Sequence, residues 1–181
     1  MSKSTYARVN SDTISAITSI YLNGNDHDRY AVTLLLKEMS QSLNIRERMT
    51  TAGAIHHIYF SENEEAKQAM ILLIREMSQA DNLSVNHTVG ITISDIYFSV
   101  DKGLQQSILL WIKEMSQVDD KNVNHTAAMA IRAIYRSGTE ETKQAMILLV
   151  EEIGQAEDKN VRQTVTMAMQ GIYHLNTEES K

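Results

Sequence analysis

Histidine and arginine are the residues of this chain whose chemistry would matter most if they were brought together. His87 and His125 lie one above the other at a spacing of 38 residues, with the His56-His57 pair earlier in the chain. Imidazole is the commonest side-chain metal ligand. Zinc, however, requires three or four ligands converging at about 2.0–2.3 Å. Histidines in equivalent positions of successive units start a helix spacing apart, and no cysteine is present to complete a set; no metal ligand is therefore expected. Arg132 and Arg136 stand one helical turn apart, a spacing suited to a carboxylate or phosphate. A solvated basic face has the same spacing. Enzymatic motifs are otherwise missing: there is no glycine-rich phosphate loop and no nucleophile elbow, and the acidic residues recur in capping or solvent-facing positions. The sequence reads as a non-enzyme with no catalytic residue and no cofactor.

The elements that carry these side chains are set by a repeat. Ile-Tyr occurs at Ile20-Tyr21, Ile58-Tyr59, Ile96-Tyr97, Ile134-Tyr135 and Ile172-Tyr173, every 38 residues and without insertion. Glu38-Met39-Ser40-Gln41, Glu76-Met77-Ser78-Gln79, Glu114-Met115-Ser116-Gln117 and Glu152-Ile153-Gly154-Gln155 keep the same period. A fixed period of this size is the signature of stacked supersecondary units. Within a unit, Ser61 to Gln79 carries Ala69, Met70, Ile71, Leu72, Leu73, Ile74 and Met77, which predicts a helix with a wide buried face. Ser61 with Glu64, and Ser137 with Glu140, have capping-box spacing and predict its start. These A helices are expected near Asp26 to Gln41, Glu62 to Gln79, Asp101 to Gln117 and Thr139 to Gln155. An Asp- and Asn-rich turn, such as Asp119, Asp120 and Asn122, then caps a B helix. B helices are expected near Ala7 to Leu22, Ile45 to Phe60, Leu83 to Phe98, Lys121 to Arg136 and Lys159 to His174. The expected fold is all-α: a right-handed α-solenoid of antiparallel helix pairs, about nine helices, B followed by four AB pairs. It forms one domain over 1–181, with a half repeat at 1–25 and repeats at about 26–63, 64–101, 102–139 and 140–177.

Comparing the units separates scaffold from variable surface. On the B helix the register of Ile20 is isoleucine in all five copies, and the register of Ile17, Ile55, Ile93, Ile131 and Met169 is apolar; both are expected in the core. Another stripe differs in every unit and contains Phe60, His87, Ile91, Phe98, His125, Met129, Arg132, Arg136, Met167 and His174. Aromatic residues, Met and Arg are enriched at protein interfaces, where a solvated face would carry Lys and Glu. These ten residues are the candidate partner-binding set, and packing between repeats is the competing reading. The recurring tyrosines are expected at the seams between units. Trp111 replaces leucine in the register of Leu35, Leu73 and Leu149 and is expected to be a core variant.

Composition limits the partner classes. With 43% apolar and 22% charged residues among 181, the chain can bury a continuous core. Neither proline nor cysteine is present, which leaves helices unbroken and fits a reducing compartment such as the cytoplasm, or a host cytosol into which the protein is delivered. No apolar run reaches the roughly 18 residues of a membrane span. A net charge of −6 argues against binding to a phosphate backbone, which needs a basic footprint.

Residues Ala145 to Ile172, with an apolar A helix, Glu157-Asp158 in the turn, then Val161-Arg162 and small or aliphatic residues into helix B, resemble a HEAT repeat, and the whole array is similar to HEAT-like and armadillo-like solenoids in pattern. The resemblance implies a ladder role for Asp158 and Arg162. Arg48 shares the register of Arg162, whereas Asn86 and Asn124 replace it in the middle units, and the A-helix proline of the family is missing. It also implies that the B helices line a concave side used for binding. The expected function is thus a protein- or peptide-binding scaffold. Two alternatives stand beside it. HEAT-like proteins include some that act on alkylated DNA bases, and an uninterrupted period also suits a structural or engineered spacer, against which the divergence of the stripe counts. Met1 to Ser4 aligns with Met39 to Ser42, and Thr177 to Lys181 with Thr139 to Lys143. The first B helix is polar, whereas the last keeps Val165, Met167, Met169 and Ile172, so its apolar side is expected to be covered by a second copy in a homodimer or by further repeats.

Overall fold

The computed structural model describes residues 3–155 and 159–179, with side chains placed for 11–155 and 161–173. The described residues form nine α-helices: α1 (Lys3–Asn23), α2 (Asp26–Ser40), α3 (Ile45–Tyr59), α4 (Glu64–Ser78), α5 (Leu83–Ser99), α6 (Lys102–Ser116), α7 (Lys121–Ser137), α8 (Glu140–Gly154) and α9 (Lys159–Glu179). Odd-numbered helices are the B helices and even-numbered ones the A helices. The fold is an all-α helical-repeat solenoid of antiparallel pairs. Two compact units divide the chain, Met1–Thr88 and Val89–Lys181. In the first, α1 packs on α2 and α3, and α3 on α4; in the second, α7 lies against α6, α8 and α9, and α6 against α8.

The repeated Glu-Met-Ser-Gln marker is the end of each A helix. Ser40, Ser78 and Ser116 are buried and donate from Oγ to the carbonyls of Lys37, Arg75 and Lys113 at 2.6, 2.7 and 2.6 Å. The following glutamine is the C-cap, its N–H reaching the carbonyls of the last turn. The marker methionines Met77 and Met115 lie in the core. Helix starts differ from the serine expectation. Asn63 caps α4, accepting from Ala66 N–H at 3.0 Å, and Thr139 caps α8, accepting from Thr142 N–H at 3.4 Å. Ser61 instead closes the preceding helix, donating to the Ile58 carbonyl at 2.7 Å. The one complete capping box joins Asn25 and Asp28 on α2, among the described residues. Asp120 caps α7 through Asn122 and Val123, in the turn where an acidic cap was expected.

The core registers hold except at the outer helices. Ile58 and Ile134 are fully buried, and Ile96 and Ile172 nearly so, but Ile20 is 51% exposed because α1 has a B-helix neighbour, α3, on one side alone among the described residues. Met169 on α9 is 46% exposed, against complete burial of Ile55 and Ile131 in the same register. Tyr21, Tyr97 and Tyr135 are buried, Tyr59 is half-buried and Tyr173 is exposed. Trp111 is half-buried. The A-helix face is narrower than its apolar run suggests: Leu34, Leu72, Leu110 and Leu148, all one register, are 46 to 63% exposed. A run of six consecutive apolar positions, as at 69–74 and 145–150, wraps around a helix of 3.6 residues per turn, so part of it must face outward.

Candidate functional site

The B-helix stripe splits into two groups. The inner positions pack between helices. His125 Nδ1 on α7 lies 3.1 Å from Met167 Sδ on α9. A Cβ on Gly90 of α5 would come within 2.8 Å of Met129 Cβ and 2.9 Å of its carbonyl carbon, so α5 and α7 touch through backbone at this point. A Cβ on Gly171 of α9 would come within 2.7 Å of Arg132 Cδ and 3.1 Å of Cγ, so the arginine stem lies across a bare stretch of α9. Ile91 is half-buried on α5. In the first unit Gly53 holds the stripe position against Ile14 Cδ1 of α1 in the same manner. His87 is half-buried near the start of α5. These contacts match the competing reading, packing between repeats, for His125, Met129, Arg132 and Met167.

The positions at the C-terminal ends of the B helices behave differently. Phe60 and Phe98 share a register, are 40% and 41% exposed, and are each braced edge-on by the tyrosine before them, with ring centroids 5.0 Å apart for Tyr59–Phe60 and 5.2 Å for Tyr97–Phe98. Phe60 also meets His56 at 4.7 Å. Arg136 has the same register on α7 and is exposed. The side chain of His174, the last member of the set, lies outside the described residues, as does Asp158 of the turn. Arg162 is exposed on α9. Arg48 reaches back to the Ser42 carbonyl with Nη1 at 2.7 Å, and its replacements Asn86 and Asn124 are buried.

Burial sets the titration of this region. The imidazoles of His56 and His125 are held below the ordinary histidine value, His125 by desolvation and His56 by desolvation with a smaller push from His57. Asp95 on α5, one residue before core Ile96, has its carboxyl raised by burial. A folded-state value above the unfolded one means that Asp95 contributes stability fully present below the unfolded value and lost as pH rises through the folded value. Asp95→Asn is therefore expected to raise the melting temperature at pH 7 and to give no gain near pH 3, where the carboxyl is protonated in both states. Circular-dichroism melts of both proteins across this range check it; an unchanged or lower Tm at pH 7 contradicts the assignment. The histidines act with the opposite sign, their contribution being present above the unfolded value and lost on acidification. Among the described residues no three His, Cys, Asp or Glu side chains converge as metal ligands would. No helix in the described residues is long and apolar enough to cross a membrane.

Fold and sequence period together define an all-α helical-repeat protein. No protein-family model matches the chain, and none of the curated proteins compared with it matches either. Among solved structures it is similar to an engineered protein from the Northeast Structural Genomics Consortium, with 20% identity over 92% of this chain and 75% of that one at a TM-score of 0.34. It is also similar to a designed armadillo repeat protein in complex with the peptide (KR)4, with 18% identity over 88% and 73% at a TM-score of 0.32. A further similar structure is that of computationally designed armadillo repeat proteins for modular peptide recognition, with 16% identity over 87% and 73% at a TM-score of 0.30.

Proposed function

We propose that the protein is a non-catalytic scaffold that binds a protein or peptide through the C-terminal ends of its B helices. The observation that supports this reading is the outward placement of Phe98, braced by Tyr97, in the register that holds exposed Arg136 on the neighbouring helix α7. A buried tyrosine holding an exposed phenylalanine lowers the rotamer entropy lost on binding. Aromatic residues and arginine are also the types that carry most interface energy. The inner stripe residues, His125, Met129, Arg132 and Met167, then serve the scaffold by joining repeats. Phe60 offers the equivalent anchor in the first unit. A net charge of −6 places nucleic acid behind protein as a partner class.

Selection of a random peptide library on the immobilised protein tests this. Peptides recovered on the wild type are expected to lose about tenfold or more in affinity for Phe98→Ala/Arg136→Ala, as truncated hot spots do. The variant should melt within about 0.5 kcal/mol of wild type, as surface substitutions do. Equal affinity for both proteins removes the surface from the function, a large stability loss assigns these residues to packing, and a library that yields no binder favours a spacer.

A further inference from the structure

The A helices carry a second surface that the B-helix reading does not use. In the second unit, α6 and α8 form an open groove of about 370 Å3 lined by Leu109, Leu110, Ala145, Leu148 and Leu149 together with the Lys113–Glu152 ion pair. Its volume lies within the range of ligand-sized clefts, roughly 300–1,000 Å3. Leu110 and Leu148 are 57% and 55% exposed, and their register is exposed in the first unit too, at Leu34 and Leu72. Helix surfaces that face only water are expected to carry polar residues here.

Charge selects what can cover this face. α6 and α8 together hold five glutamates against three lysines. Two of those lysines are already engaged, Lys113 with Glu152 at 2.6 Å and Lys143 with Glu140 at 3.2 Å. Glu114, one turn beyond Leu110, and Glu151, three residues beyond Leu148, are exposed and carry no ion pair among the described residues. A second copy laid on the same face would set these acids against their own kind. The groove also offers no strand edge, so an extended peptide would gain no backbone hydrogen-bond ladder there. A helix pairs its own backbone except at its two ends, and it fits a groove between two packed helices with anchors at i, i+3 or i+4, and i+7.

We propose that the α6–α8 face docks a basic amphipathic helix, with aliphatic side chains in the groove between Leu110 and Leu148 and lysines or arginines against Glu114 and Glu151. The surface is separate from that of Phe98 and Arg136. Fluorescence anisotropy with three labelled 18-residue probes tests the proposal: a helix with leucines on one face and lysines beside them, the same peptide with glutamate for lysine, and a scramble of the lysine peptide with no apolar face. The lysine helix is expected to bind the wild type at least about tenfold more tightly than either other probe. Leu110→Glu/Leu148→Glu should weaken it about tenfold. Glu114→Lys/Glu151→Lys, which leaves the apolar floor intact, should weaken it comparably and improve the glutamate helix. Phe98→Ala/Arg136→Ala should leave it unchanged. Circular dichroism verifies that each variant keeps its helix content. The proposal is overturned if the scramble binds as well as the helix, if the lysine helix binds the two groove variants as it binds wild type, or if sedimentation shows wild-type self-association that Leu148→Glu abolishes, which would make a second copy the occupant.

Discussion

Ile134→Asp is expected to lower the melting temperature by about 10 °C or more, taking several kcal/mol for an unpaired buried carboxylate and about 2–4 °C per kcal/mol for a domain of this size. Ile134 is fully buried in α7, the helix that packs against α6, α8 and α9. The repeat supplies an internal control, because Ile20 occupies the same register with half of its surface in water. Ile20→Asp should stay within about 0.5 kcal/mol of wild type. Thermal melts followed by circular dichroism separate the two. Equal losses at both positions would mean that the register, and not its burial, decides the outcome.

Gly90→Ala should also be costly, against the trend for helices. Alanine is favoured over glycine in a helix interior by roughly 1 kcal/mol. At Gly90, however, the added methyl meets the backbone of α7 at Met129 and Ala130, with Ala130 N at 3.0 Å, and backbone cannot swing aside. Overpacking of this kind costs about 1–3 kcal/mol, so the net change is expected to be destabilising, and Gly90→Val more so. Gly171→Ala meets only the stem of Arg132, which can rotate, and should be near neutral or stabilising. Urea denaturation of the three variants measures this; a stabilised Gly90→Ala would mean that α5 and α7 are not in backbone contact.

The architecture could be read from the sequence because a repeat states each structural requirement several times. Ile55, Ile93 and Ile131 are buried as their common register implies. The exceptions, Ile20 and Met169, belong to the outer B helices, and burial there depends on a neighbour that periodicity alone does not supply. Helix starts were less legible at Ser61 and Ser137, since Asn63 and Thr139 two residues on offer equally good capping oxygens and the backbone used those. The stripe was found, but its division was not. Met, His and Arg suit both a surface and a seam between helices, and the glycines against which Met129 and Arg132 lie, Gly90 and Gly171, sit in a different register of the adjacent repeat. The leucine register of the A helices was hidden inside a continuous apolar run, where sequence shows no boundary between the buried and exposed sides.

The bridges between A helices have a consequence for how such an array can change in length. Lys37 pairs with Glu76, and Lys113 with Glu152, each at 2.6 Å and each joining one repeat to the next. Exposed pairs of this kind contribute at most about 1 kcal/mol, so they do little to hold the fold. Each clasp is nevertheless assembled from halves supplied by different copies: a repeat bearing both residues presents a cation to the neighbour after it and an anion to the neighbour before it. Duplicating or deleting 38 residues in frame among the first three units sets a cation, Lys37, Arg75 or Lys113, in register with a glutamate of the next unit, much as couplings on identical rail wagons meet in any order, whereas the fourth unit carries Glu151 at that position. Copy number can then drift among those three units without stranding a charge, while the outward-facing residues of each unit remain free to diverge.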